Sequence, residues 1–241
     1  MGWLRPQDYA IIMFVEPGVQ LLFFGLLGTF GPYDTEFYVV GNAVRLMATS
    51  ALFGTASVIV AERSQGTLTA LLATPTPAAE TFYGRALLQG VSGILTGVFT
   101  LGLGVVVFDL DLSYDAWGWA LLAMIVTAVS LSGLGLLLAN ISLLGTDPNL
   151  VLNIVFYSLM VITGANFPLS DLPAPLAMLG EITPMTHGLE AVRRALDGDS
   201  AGVLPLLGQE LAVGAFFGLV AVVALRRAEI RARRTGTLEL M

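Results

Sequence analysis

Six stretches of this chain are almost wholly apolar: residues 17–31, 37–60, 86–108, 117–139, 148–166 and 203–225. Roughly 20 apolar residues, each rising 1.5 Å along a helix, cross a hydrocarbon core of ~30 Å. The pattern therefore predicts an all-α, polytopic membrane protein of six spans in a single domain. The first stretch is short, and residues 9–15 either extend it or lie flat at the interface. Between the second and third stretches the pattern changes. Glu62-Arg63-Ser64-Gln65-Gly66-Thr67-Leu68-Thr69-Ala70-Leu71-Leu72-Ala73-Thr74-Pro75 opens with charges, breaks at Gly66 and stops at Pro75. Inside those breaks Leu68, Leu71 and Leu72 recur at helical spacing, which gives a short helix one apolar face. Such a face either lies on lipid headgroups or docks against a partner. Residues 167–202 are too polar to span. They fit two short helices near 175–182 and 186–196, divided by Pro184, and in the second Leu189, Val192, Ala195 and Leu196 share one face. Glu190 and Arg193 stand three apart there, an ion pair worth about 0.2–0.5 kcal/mol on an exposed helix.

The wording of these polar segments adds to their periodicity. Glu-Arg-x-x-Gly-Thr-Leu-x-x-Leu-Leu-x-x-Pro, followed by Glu80 and Gly84-Arg85, resembles the cytoplasmic loop of ABC-2 type permeases, the membrane subunits of one class of ABC exporter. Pro184-Met185-Thr186-His187-Gly188-Leu189-Glu190-Ala191-Val192-Arg193 is similar to that family's pattern before its last span. Asn166-Phe167-Pro168-Leu169 and Leu172-Pro173 resemble its exit from the fifth span. The likeness implies a cytoplasmic coupling helix built on Glu62, Arg63, Gly66, Thr67, Leu68, Leu71, Leu72 and Pro75, seated on an ABC ATPase subunit. It gives Asp147, in the turn before the fifth span, a second and smaller contact with that ATPase. It places Pro184, His187, Glu190 and Arg193 in an external re-entrant helical pair. It also implies a second permease copy or a paralogue, an exported small molecule or lipid-like substrate, and ATP with Mg on the partner, with no cofactor on this chain. From its own residue type, Asp147 before Pro148 also suits a helix cap.

Mean hydropathy is +0.81, and 12% of residues are charged, against about 25% in a water-soluble domain. With no cysteine and the single histidine His187, disulfide and thiolate chemistry is absent and no ligand set suggests a metal site. All 11 basic residues are arginine. A P-loop needs a lysine at the phosphates, so ATP hydrolysis would belong to another polypeptide, and lysine Schiff-base chemistry is also excluded. No catalytic residues are assigned. No cleavable signal peptide is expected ahead of the first span.

Six spans put both termini on one side. Arg5, Arg63, Arg85, Arg226, Arg227, Arg231, Arg233 and Arg234 fall on that side, and only Arg193 and Arg194 on the other. The arginine bias predicts cytoplasmic termini in a plasma or inner membrane. The net charge of −7 is then mostly an acidic outer surface and points to no nucleic acid. The arginine-rich tail reads as an anchor on anionic lipid or as a partner contact. Trp117 and Trp119 suit an interfacial belt. Gly93-x-x-x-Gly97 and Gly214-x-x-x-Gly218 would allow helices to approach closely.

Glu16 and Arg45 are the charges placed nearest to apolar surroundings, and a charge at a helix centre costs about 2.5–3.5 kcal/mol. Glu16 suits a helix start beside Pro17. Arg45 either snorkels outward or lines a substrate cavity with Asn42; a direct Glu16–Arg45 pair is not expected. A proton-coupled carrier is the alternative function, but it needs ionisable groups near the midplane. None lies between Arg85 and Asp109 or between Trp117 and Asp147. Ser130, Ser132 and His187 are the parts available for an intramembrane hydrolase, with His187 placed outside the membrane.

Overall fold

The computed structural model describes residues 15–67, 78–110, 114–142 and 148–235, and every regular element among them is helical. In chain order these are α1 (Glu16–Phe30), α2 (Thr35–Ser64), α3 (Ala78–Phe108), α4 (Tyr114–Ser142) and α5 (Pro148–Ile162). A 3-10 turn (Leu169–Asp171), α6 (Ala174–Glu181), α7 (Thr186–Leu196) and α8 (Ser200–Thr235) follow. Among the described residues four helical stretches are long and apolar enough to cross a bilayer: Thr35–Glu62, Gly84–Phe108, Asp115–Asn140 and Ser200–Ala228. The chain is an integral membrane protein. Helices α1 and α5 have 15 residues each, a rise of about 22 Å against a core of ~30 Å.

The fifth stretch ends sooner than its apolar run suggests. Helix α5 stops at Ile162, and Gly164 takes a φ of +86°, a left-handed conformation that glycine adopts without a Cβ penalty. The chain then bends through 163–167 into the 3-10 turn. The long helices run past their apolar cores at the polar ends, because a helix already nucleated extends cheaply.

Helix α2 lies at the centre, packed on α1, α3 and α4, while α4 pairs with α8 and α7 sits across both. Small residues set these spacings. A β-carbon at Gly93 would lie 2.8 Å from the Met47 carbonyl oxygen of α2, and one at Gly133 would lie 3.0 Å from both Gly214 O and Gly218 N of α8. Both small-xxx-small runs thus fall at helix crossings, as side-chain-free approach requires. Asn140 Nδ2 adds a bond across α4 and α8 to Ala221 O at 3.2 Å. In its most apolar stretch α4 is 72% buried, against 33% for α3 and 28% for α8. Leu88 and Val106 of α3 and Phe216 and Leu219 of α8 face outward, where hydrocarbon or another protein must cover them.

Candidate functional site

Three clusters of polar side chains interrupt the apolar frame. The first joins the ends of α2 and α3. Glu62 forms an ion pair with Arg85 of α3 through Oε1 and accepts a hydrogen bond from the Thr67 hydroxyl through Oε2. Thr67 N also donates to Glu62 O at 3.0 Å. Gly66, exposed at φ +69°, makes the turn out of α2. Glu62 therefore spends its charge inside the chain, bracing the entry to the 68–77 segment. Leu68, Leu71, Leu72, Pro75 and Asp147, and the side chain of Arg63, lie outside the described residues.

The second cluster lies between α1, α2 and α3. The packing of α1 on α2 puts Gln20 between Glu16 and Arg45. Gln20 Nε2 donates to Glu16 Oε1 at 3.2 Å, and Arg45 Nη2 donates to Gln20 Oε1. Arg45 also donates from Nε to Asn42 Oδ1 at 3.2 Å, and its guanidinium stands 5.2 Å from the Phe24 ring centroid. Glu16 and Arg45 are thus joined through an amide, as neither a direct pair nor a free snorkelling arginine. A groove of about 320 Å³ opens beside them, lined by Glu16, Ser50, Phe53, Gln89, Ser92 and Thr96 among others. Asn42 and Arg45 stand outside the lining of this groove.

The third cluster surrounds α7, where the expected apolar face is fully used: Leu189 and Val192 have no exposed surface. Pro184 is buried at the preceding turn. His187 Nε2 lies 2.8 Å from Glu181 O. The expected Glu190–Arg193 pair is not made. Glu190 instead accepts from Arg194 at 3.2 Å, one residue further on, and Arg193 turns inward. Arg193 Nη2 donates to Gly164 O at 2.8 Å, and its guanidinium stacks 3.9 Å from the Phe37 ring centroid. Burial pulls Arg193 down to about 10, which still leaves it protonated at neutral pH. His187, Glu190 and Arg193 line a cleft of about 380 Å³ with Phe37, Pro168 and Ser170.

The residue that sequence reasoning missed is Glu210 of α8. It has no exposed surface. Its Oε1 accepts from Met185 N at 2.8 Å and its Oε2 from Gly188 N at 3.0 Å. These are the N-cap amide and the third amide of α7, whose N-cap is Met185, a residue without a capping oxygen and held at φ +91°. A helix start leaves its first N–H groups without partners, and Ser, Thr, Asp or Asn usually supplies one. Here a carboxylate from another helix does so. The available signal was a lone glutamate inside the apolar run 203–225.

A model of the ABC-2 type transporter family matches residues 1–196. Over 157 residues the chain is 25% identical to the protein named "Probable multidrug ABC transporter permease YbhR" in Escherichia coli strain K12, and equally so to its namesake in E. coli O157:H7. That alignment takes in 64% of this chain and 42% of each relative, so the chain spans less than half the length of the curated relatives it matches.

Proposed function

The chain belongs to the ABC-2 type transporter family, and on that premise we propose that it is the permease subunit of an ATP-driven ABC exporter. Two copies, or one copy and a paralogue, would enclose the pathway, with α1 and α5 completing a set of six spans. A separate ATPase subunit would hold the nucleotide and its Mg²⁺. The observation that carries this reading is the family match, which extends over both the 62–75 and the 184–193 segments of an all-helical apolar frame.

The work of this chain is mechanical. The Leu68, Leu71 and Leu72 face would seat in a groove of the ATPase on the cytoplasmic side, with Asp147 at the edge of the contact. The Glu62–Arg85 pair clasps α2 to α3 where the loop enters and leaves, so a push on the loop reaches both helices together. Helix α2 touches α1, α3 and α4, which spreads the displacement through the bundle as a rigid-body shift between packed states. Alternation between states that differ in affinity then binds substrate and releases it. The groove beside Glu16 mixes hydroxyls, an amide, a carboxylate and Phe53, which suits an amphiphilic small molecule or lipid-like substrate.

One observation favours the second reading, a proton-coupled carrier: Glu210 is a fully buried carboxylate in a spanning helix. Both its oxygens are engaged by backbone amides, a structural commitment that a proton carrier would have to break in each cycle. The test is transport by membranes carrying the native complex, with ATP depleted in one arm and an uncoupler present in the other. An exporter stops in the first and continues in the second; the reverse result would replace it with the carrier.

A further inference from the structure

We propose that Glu210 is a positioning residue for transport: its carboxylate ties the start of α7 to α8, so that the cleft at His187, Glu190 and Arg193 opens and closes with the last span. The proposal rests on the exporter reading above.

The tie has three parts. Glu210 gives one carboxylate oxygen to each of two amides, Met185 N and Gly188 N, at 2.8 and 3.0 Å. Each carboxyl oxygen offers lone pairs to one amide, and both amides belong to the positive end of the α7 dipole. Among the described residues it makes no ion pair; the two amides and the Ser130 side chain hold it, with His187 nearby. Second, Gly188 leaves no room for movement: a β-carbon there would overlap the Thr127 hydroxyl of α4. Third, Ser130 of α4 donates to Glu210 O at 3.3 Å. The start of α7 is therefore held by both α4 and α8.

The opposite end of α7 is held differently. Arg194, with 43% of its side chain exposed, pairs with Glu190 and lies 3.8 Å from Asp199, contacts of the kind that contribute little at a surface. On its inward side Arg193 bridges to Gly164, just past the end of α5. Helix α7 is thus a lever pinned at its start by Glu210 and resting on the exit of α5 through Arg193. A shift of α8 against α5 must move α7, and the cleft between α7 and Pro168-Leu169-Ser170 changes width.

The chain has no cysteine, so Ser170→Cys places a single thiol in that cleft. The experiment labels this variant with a membrane-impermeant maleimide, in the full complex with its ATPase in proteoliposomes, without nucleotide and with ATP plus vanadate. In the parent the labelling rate should change by about fivefold or more, an ordinary allosteric coupling. Adding Glu210→Gln, which keeps the shape but presents an NH₂ to an amide donor, should remove most of that change while ATP hydrolysis persists. Glu210→Asp keeps the carboxyl group and withdraws its oxygens by one bond, and should restore part of the response. It also serves alone if the glutamine variant does not assemble. An unchanged nucleotide response in either variant overturns the proposal, and so does a loss of response matched by an equal loss of ATP hydrolysis, which marks a merely structural role. No nucleotide effect in a parent that still exports on ATP also overturns the proposal, whereas a parent that neither recruits the ATPase nor exports on ATP counts against the exporter reading itself.

Discussion

Two glutamates brace the two ends of this bundle, and they do so by opposite means. Glu62 meets an arginine at a surface: its side chain is 15% exposed and that of its partner Arg85 is 47% exposed. Glu210 is fully buried and is held by two backbone amides, with the Ser130 side chain beside it. A solvated ion pair forms and breaks at little cost, so the Glu62 end can be rearranged by whatever docks on the adjoining loop. A buried carboxylate satisfied by two N–H groups is costly to disturb, because each orphaned group then carries its desolvation penalty of about 1–3 kcal/mol. The difference sets a solvent-screened brace at one end against a buried, amide-satisfied brace at the other.

That contrast can be tested by breaking each end in turn. The largest effect belongs to the docking face. Leu71→Asp with Leu72→Asp should abolish co-purification of the ATPase while the chain still inserts into membranes; normal recruitment and export by this variant would remove the coupling assignment. Next comes Glu210→Ala, which orphans two buried amides and opens a void. We expect a loss of about 3 kcal/mol or more, read as a lowered thermal midpoint in detergent, and a change within experimental scatter would show that the cap is dispensable. Gly188→Ala should cost about 1–3 kcal/mol by overpacking against Thr127. Thr127→Ala in the same chain should recover part of this, so a strictly additive double variant would contradict the contact. The smallest effect is expected from Glu62→Gln: within about 1 kcal/mol, measured by the same thermal midpoint. A loss as large as that of Glu210→Ala would erase the distinction between the two ends.

The apolar runs made the helices legible, and the 186–196 face was read residue by residue because its burial follows the helical repeat. What escaped was whatever depends on partners distant in sequence. Arg193 looked like the mate of Glu190, yet its contacts are Phe37 and Gly164, which only the packing of α2 and the α5 exit against α7 brings near. Arg45 reads from the sequence as snorkelling or as lining a cavity with Asn42, because the bridge through Gln20 exists only once α1 packs on α2. Glu210 caps a helix whose N-cap residue lies 25 positions before it, so no local capping pattern could reveal it. Two clues were present in hindsight: a helix start with methionine where a capping residue belongs, and one carboxylate in an apolar run. The end of α5 was misjudged because hydrophobicity continues past Ile162, whereas backbone conformation at Gly164 does not. Of the segment expected to couple, residues 62–75, the leucine face from 68 onward lies outside the described residues and stays an expectation from its wording.

The exporter account depends above all on which side of the membrane the loop after Gly66 occupies. A single thiol from Thr67→Cys, placed in a chain without native cysteine, can be challenged with an impermeant maleimide in intact cells and again after permeabilisation. The account predicts labelling only after permeabilisation. Labelling in intact cells would put the loop beyond the reach of any cytoplasmic ATPase and contradict it.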